Sequence, residues 1–331
     1  MDYKNLAISI LLLFAIGYIY DKIKTNIDKD DKGEDLDIIK KYLFNEHEDT
    51  KIDNIMQAHK PILWIHIEYN KNSRIWQSFS SRNSFELNQD YLYLTLRSII
   101  NKCGSDFHIV LIDDDSFSKL LDNWNINLDI ISNPQKQYLR LLGITKLLSV
   151  YGGLTIEPSF IVFKSLINIY SKAISENTMC IAEFPNTSVN ADVLNYMPST
   201  KFMGCNKNCQ LMLEFSKYLE VLFSKDYTNS INAEDLINKW LYDKVLTNSI
   251  KYIDGKYIGT KDINNKNILI QDLIGNSYLE LHDNTYALYI PREELLKRTA
   301  YNWFVYLNSE DVLLSSTNIG KYLLLSNSKM L

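Results

Sequence analysis

Glycine, proline, cysteine and arginine are all scarce in this sequence, with 11, 6, 4 and six residues among 331. Low-complexity tracts and internal repeats are absent. Hydrophobic residues make up 46% of the chain, ample to bury a core, so a disordered or fibrous protein is excluded. The four cysteines, Cys103, Cys180, Cys205 and Cys209, do not form a framework pattern. Cys205-Asn-Lys-Asn-Cys209 lacks the second Cys or His pair that a tetrahedral zinc site needs, which predicts buried free thiols. A basic excess is also missing. Lys+Arg number 35 against 40 Asp+Glu, for a net charge of -5, which excludes nucleic acid as a main partner because phosphate neutralisation needs clustered cations. The sequence contains no P-loop, G-x-G-x-x-G, G-x-S-x-G or HExxH motif.

One long apolar run is present. Leu6 to Tyr20 reads LAISILLLFAIGYIY without a charge. Fifteen helical residues rise about 22 Å, and adding Tyr3, Ile23 and snorkelling Lys4 and Lys22 gives a workable membrane span. With no A-x-A-like cleavage site after it, residues 1–23 are expected to be an uncleaved signal-anchor, a single-pass membrane helix. Lys22, Lys24, Lys29 and Lys32 would place the body on the cytoplasmic side by the positive-inside rule. Residues 24–58 are charge-rich and are expected to form a stalk, with one helix over Leu36 to Phe44.

The body then alternates. Pro61 to Ile67 and Phe107 to Ile112 are short β-branched apolar runs, expected as buried strands, with a helix over Leu87 to Lys102 between them. The second strand stops at Asp113-Asp114-Asp115. A strand is expected near Leu128 to Ile131, then a long helix from Lys136 to Tyr151, ended by Gly152-Gly153, then an extended stretch from Leu154 to Phe163. Residues 191–331 are expected to be more helical, with helices over Cys209 to Phe223 and Ala233 to Leu246. Short strands are expected near Lys251 to Ile258, Ile268 to Ile270 and Tyr286 to Ile290. The alternation predicts an α/β fold with a mostly parallel sheet flanked by helices. Ligands of such sheets bind beyond the strand carboxyl ends, at Asp113 to Asp115 and after Gly153.

Strand Leu63-Trp-Ile-His66, strand Ile109 to Ile112 running into Asp113-Asp114, and the helix from Arg140 through Lys146 to Tyr151-Gly152-Gly153 occur in that order. Together they resemble the GT-A glycosyltransferases with a DXD sugar-binding region, the group of capsular polysaccharide and mannosyl transferases. The set is also similar to glycosyltransferase-like proteins of large DNA viruses. The resemblance covers roughly residues 60–170. It implies a GT-A-like, Rossmann-like nucleotide-sugar-binding half over residues 59–190, with residues 191–331 completing the same body. It also implies a UDP- or GDP-linked sugar donor, an acceptor, and a divalent Mn or Mg ion clamping the diphosphate. Type II Golgi members of this class carry the body on the opposite side of the membrane from the one the lysines indicate.

On that resemblance the donor-binding candidates are Trp64, Arg74, Arg82, Asp113, Asp114, Arg140, Lys146, Tyr151, Gly152 and Gly153, and the metal candidates are Asp115 and Glu157. Trp64 would stack on the base, the arginines would fork onto the diphosphate, and the glycines would let the backbone approach the sugar. The resemblance fails at the decisive place. The family's two metal-binding aspartates fall on Glu157 and Ser159, its sugar-contacting aspartate on Leu141 and the following arginine on Ile144. Two functions therefore stand side by side: a metal-assisted glycosyltransferase, or a catalytically silent glycosyltransferase-like binding or structural protein, conceivable as a membrane-associated virion component. The first needs two carboxylates converging on one cavity. The second leaves Glu157 paired or pointing away from any cavity, with the acidic triplet merely capping a short helix expected from Ser116.

Overall fold

The computed structural model describes residues 38–44, 51–57, 59–68, 89–174, 178–186, 195–224 and 230–327. The expected anchor, Arg74 and Arg82 lie outside these residues.

The elements follow in chain order. Helix α1 (Ile52–Gln57) precedes strand β1 (Ile62–His66), helix α2 (Asp90–Cys103), β2 (His108–Ile112) and α3 (Ser116–Leu120). Helix α4 (Gln135–Tyr151) leads into β3 (Gly153–Ile156), β4 (Phe160–Val162), α5 (Ile167–Ile174), β5 (Met179–Pro185) and β6 (Tyr196–Cys205). Then come α6 (Gln210–Phe223), α7 (Ser230–Leu246), β7 (Ile250–Ile253), α8 (Ile270–Ile274), β8 (Ala287–Tyr289), α9 (Arg292–Lys297), α10 (Ser309–Leu314) and α11 (Asn318–Asn327).

Six strands form one sheet in the order β2-β1-β3-β6-β5-β7, and β4 pairs with β8 in a separate antiparallel ribbon. In the large sheet β1 runs parallel to β2 and β3, β5 runs parallel to β7, and only β6 opposes its neighbours. A mixed α/β fold with a mostly parallel sheet is thus what the alternation of elements builds. The carboxyl ends of β1, β2, β3, β5 and β7 consequently share one edge.

Side-chain alternation along β1 explains why both faces are covered. Leu63 and Ile65 enter one hydrophobic cluster with α2 and the carboxy-terminal helices, while Ile62 and Trp64 enter the other with α4 and α6. Each fully buried Leu or Ile here contributes roughly 1.5–3 kcal/mol of transfer free energy. Ile39, Phe44 and Ile55, from the segment expected as a stalk, are also buried in these clusters.

Three local expectations change. The strand expected at Leu128 to Ile131 is a 3-10 turn over Leu128–Ile130, because the Asn127 side chain accepts from the Asp129 N–H at 2.9 Å and bends the chain. The run at Ile268 to Ile270 instead starts helix α8, where the Asp272 carboxylate accepts from the Leu269 N–H. Helix expected up to Phe44 stops near Lys40, and Leu43 bridges Leu111 beside β2, adding backbone hydrogen bonds to the sheet's edge.

Candidate functional site

The site is built where β1, β2 and β3 end. His66 closes β1 and Glu68 stands beyond it, Asp114 stands beyond β2, and Glu157 stands beyond β3. Arg140 reaches the same edge from helix α4. Its guanidinium holds Asp114 in a fork, with Nε to Oδ1 and Nη2 to Oδ2 both at 2.7 Å, and Nη1 donates to Glu68 Oε1 at 2.7 Å. His66 Nε2 meets Asp114 Oδ1 at 3.0 Å, its ring stacked on Phe117. Gln137 donates to Glu68 Oε1, and Arg292, at the start of α9, completes the bridge through Glu68 Oε2 at 3.3 Å and Gln89 Oε1 at 3.3 Å.

Burial penalises the Asp114 charge, but hydrogen bonds from His66 and Arg140 outweigh it and hold the carboxyl well below the usual range. Glu68 follows the same balance: burial opposes its charge, and Arg292 with Arg140 keeps it ionised and its pKa lowered. A planar fork that satisfies both oxygens of one carboxylate and one of another is what arginine, not lysine, provides.

Glu157 sits beside this network and behaves differently. Its backbone N–H donates to Lys201 O at 3.2 Å, extending the β3–β6 pairing by one position. Its carboxylate faces Lys201, Arg292 and the Tyr289 hydroxyl, but burial dominates and raises its pKa. Ser159, completely buried, approaches Glu157 Oε2 at 3.5 Å. Lys201 lies over the Tyr289 ring at 5.3 Å from its centroid. Burial works against the lysine's charge, yet Tyr289 and Glu157 keep it protonated. The Tyr91 hydroxyl, fully buried at the start of α2, feels Arg292 and Glu157 and has no hydrogen-bond partner.

The other candidates separate from this edge. Asp113 is a helix cap: its Oδ1 accepts from the Ser116 N–H at 2.9 Å and from the Ser116 hydroxyl at 2.6 Å. Asp115 is exposed at the start of α3. Trp64 is fully buried, its indole N–H donating to Gly152 O at 3.0 Å, so its ring offers no stacking face to a base. Lys146 pairs with Glu220 on the α4–α6 surface at 2.5 Å. Tyr151, Gly152 and Gly153 stand at the amino end of β3, about 13 Å of strand away from Glu157. Tyr151 and Gly153 line a cavity of about 440 Å³ there, with His59, Lys60, Asn206 and Lys207. The glycines answer a backbone demand. Gly152 and Gly153 have φ of +71° and +106°, and a Cβ would stand 2.4 Å from Lys207 N and 2.3 Å from Ile62 O.

A divalent ion fits this donor set poorly. Hard cations collect several unpaired oxygens, whereas Asp114 and Glu68 are already spent on Arg140 and Arg292. Among the described residues no group of three or more His, Cys, Asp or Glu could hold a metal ion. Asp115 and Glu157 do not form a pair, and the place of the second metal-binding aspartate is the buried Ser159. The four cysteines are free and buried.

Sequence reasoning singled out Arg140, Asp114 and Glu157 but missed Glu68, Tyr91, Lys201, Tyr289 and Arg292. Arginine's scarcity was the available signal, since two of only six gather here.

No family profile matches the sequence, and no curated protein does. Several solved glycosyltransferases align with the chain at low identity and low TM-score. The glycosyltransferase GlyE of Streptococcus pneumoniae TIGR4 aligns at 13% identity and a TM-score of 0.37, covering 60% of this chain and 46% of its own. The chain thus spans about half of that protein's length. The galactosyltransferase LgtC, solved with donor and acceptor sugar analogues, aligns at 11% identity over 82% of this chain and 96% of its own, TM-score 0.40. A glycosyltransferase involved in glycosylation of the major capsid of PBCV-1 aligns at 9% identity over 70% and 94%, TM-score 0.39. Likeness at this level bears on neither substrate nor chemistry.

Proposed function

We propose that the chain is a glycosyltransferase-like protein that binds a nucleotide-sugar donor at the carboxyl edge of its sheet. The observation that carries this reading is the gathering of Arg140, Arg292 and Lys201 where β1, β2 and β3 end, the edge at which open α/β sheets take ligands. The resemblance between residues 60 and 170 supplies the ligand class. A panel of UDP- and GDP-sugars tests it by thermal shift: at 100 times Kd, at least one member should raise Tm by about 5 °C. A flat response across the panel, with and without Mn²⁺, removes the reading.

A second reading has its own support. Asp113 is consumed as a cap, and Asp114 and Glu68 are neutralised by arginine, so the chain retains the scaffold without sugar transfer. A bound donor that is neither hydrolysed nor transferred to any sugar acceptor favours that silent form; turnover excludes it.

The amino-terminal run Leu6 to Tyr20 supports membrane anchoring of either form. Among the described residues no helix is long and apolar enough to cross a membrane, and the run lies outside them. Full-length protein should stay in the pellet after alkaline carbonate washing. Release into the supernatant contradicts the anchor.

A further inference from the structure

We propose that the seat around Glu157 takes a phosphate-bearing group directly on Lys201, Arg292 and the Tyr91 hydroxyl, so that protein cations stand where a divalent ion would otherwise be required. This rests on the donor-binding reading above and narrows it to metal-independent recognition of a diphosphate.

Three features of the structure converge on it. First, Lys201 forms no salt bridge among the described residues, although it is partly buried; its ammonium lies against the Tyr289 ring and facing Glu157. The Tyr289 hydroxyl and the nearby Glu157 charge compensate the ammonium in part, and with no carboxylate in salt-bridge contact among those residues it can still take a further anion. Second, the Tyr91 hydroxyl is completely buried and unpartnered, although Arg292 and Glu157 are its electrostatic neighbours. A buried hydroxyl normally finds a partner, so an orphan beside the Arg292 guanidinium points to an acceptor that binds there. Third, Lys201 and Arg292 bring two positive charges to this seat, the second of them shared with Glu68 at 3.3 Å.

Glu157 gives the idea a sign. In a metal site its carboxylate would be a ligand, and losing it would abolish donor binding. In the arrangement found, the carboxylate competes with the incoming phosphate for Lys201 and Arg292. Neutralising it should help the anion.

Calorimetric titration of the full chain with inorganic pyrophosphate, UDP and GDP in EDTA, and again in Mn²⁺, separates these cases. Binding in EDTA is expected. Lys201→Met and Arg292→Gln should each weaken it about tenfold or more, the loss expected for one desolvated charge on a phosphate, and Lys201→Arg should restore most of it. Glu157→Gln should leave it unchanged or tighten it. Thermal melts of each variant show whether it is folded, and the Lys201→Arg and Glu157→Gln proteins keep the charge or shape of the site should Lys201→Met fail to fold. Binding seen only with Mn²⁺ and lost in Glu157→Gln overturns this inference while leaving the donor-binding reading intact. Binding in EDTA indifferent to Lys201 and Arg292 also overturns it. Absence of binding under every condition removes both.

Discussion

Among the described residues Arg140 alone forms salt bridges with both Asp114 and Glu68, and the charge balance of the edge turns on it. Arg140→Met should leave two partly buried carboxylates facing each other and cost about 3 kcal/mol in urea denaturation at pH 7. A loss below about 0.5 kcal/mol would mean that the fork is only a surface pair. The pH dependence has a definite sign. Asp114 is held below its ordinary value of 3.8, so its contribution to stability is complete above that pH and is lost as the pH falls below it. Asp114→Asn should therefore lower stability at pH 7 and flatten the acid limb of the stability curve below about pH 4. Glu157 has the opposite sign, because burial raises it above 4.5: its contribution is complete below that value and lost as the pH rises through the folded pKa. Glu157→Gln should raise Tm at pH 8; a fall would show that the carboxylate is held by a partner stronger than its desolvation. Of these residues, Arg140, Asp114 and Glu157 could be singled out in advance because each stands beside a strand end or on the helix that carries the resemblance. Lys201 and Arg292 could not. They arrive from β6 and from the start of α9, and only long-range packing brings them to Glu157.

Among the elements, the turn from α4 into β3 shows how a recognisable motif is legible in place and what its glycines answer locally. Tyr151-Gly152-Gly153 does end a helix and start a central strand. Its glycines, however, serve positive φ angles and close backbone contacts at the amino end of β3, far from any acid of the edge. Gly153→Ala would place a Cβ against Ile62 O and should destabilise the protein by more than about 2 kcal/mol, or prevent folding. The same substitution should leave nucleotide affinity of whatever folds unchanged; a selective loss of affinity would return the glycines to the donor site. Two of the short elements misread from sequence share one cause. At Leu128 to Ile130 and at Ile270, an Asn or Asp side chain bonds the backbone and decides a local conformation that a four-residue apolar run leaves open.

At the scale of the whole molecule, the order of strands and helices was readable because a sheet covered on both faces needs continuous apolar strands, and these leave a strong trace at β1 and β2. The antiparallel placement of β6 between β3 and β5 left no such trace, since pairing direction is set by the chain's path and not by composition. That placement has a consequence for the site. Because β6 runs against its neighbours, its residue Lys201 lies at the edge where the parallel strands end, and so a lysine enters beside Glu157. The result is an edge whose acids are matched by the protein's own cations. Titration of Mn²⁺ against the full chain, followed by the electron paramagnetic resonance signal of the free ion with and without UDP, tests that claim most directly. The account predicts that the free signal grows as it does in buffer, and that Glu157→Gln changes nothing. One stoichiometric Mn²⁺ withdrawn from solution, and set free again in Glu157→Gln, would contradict it.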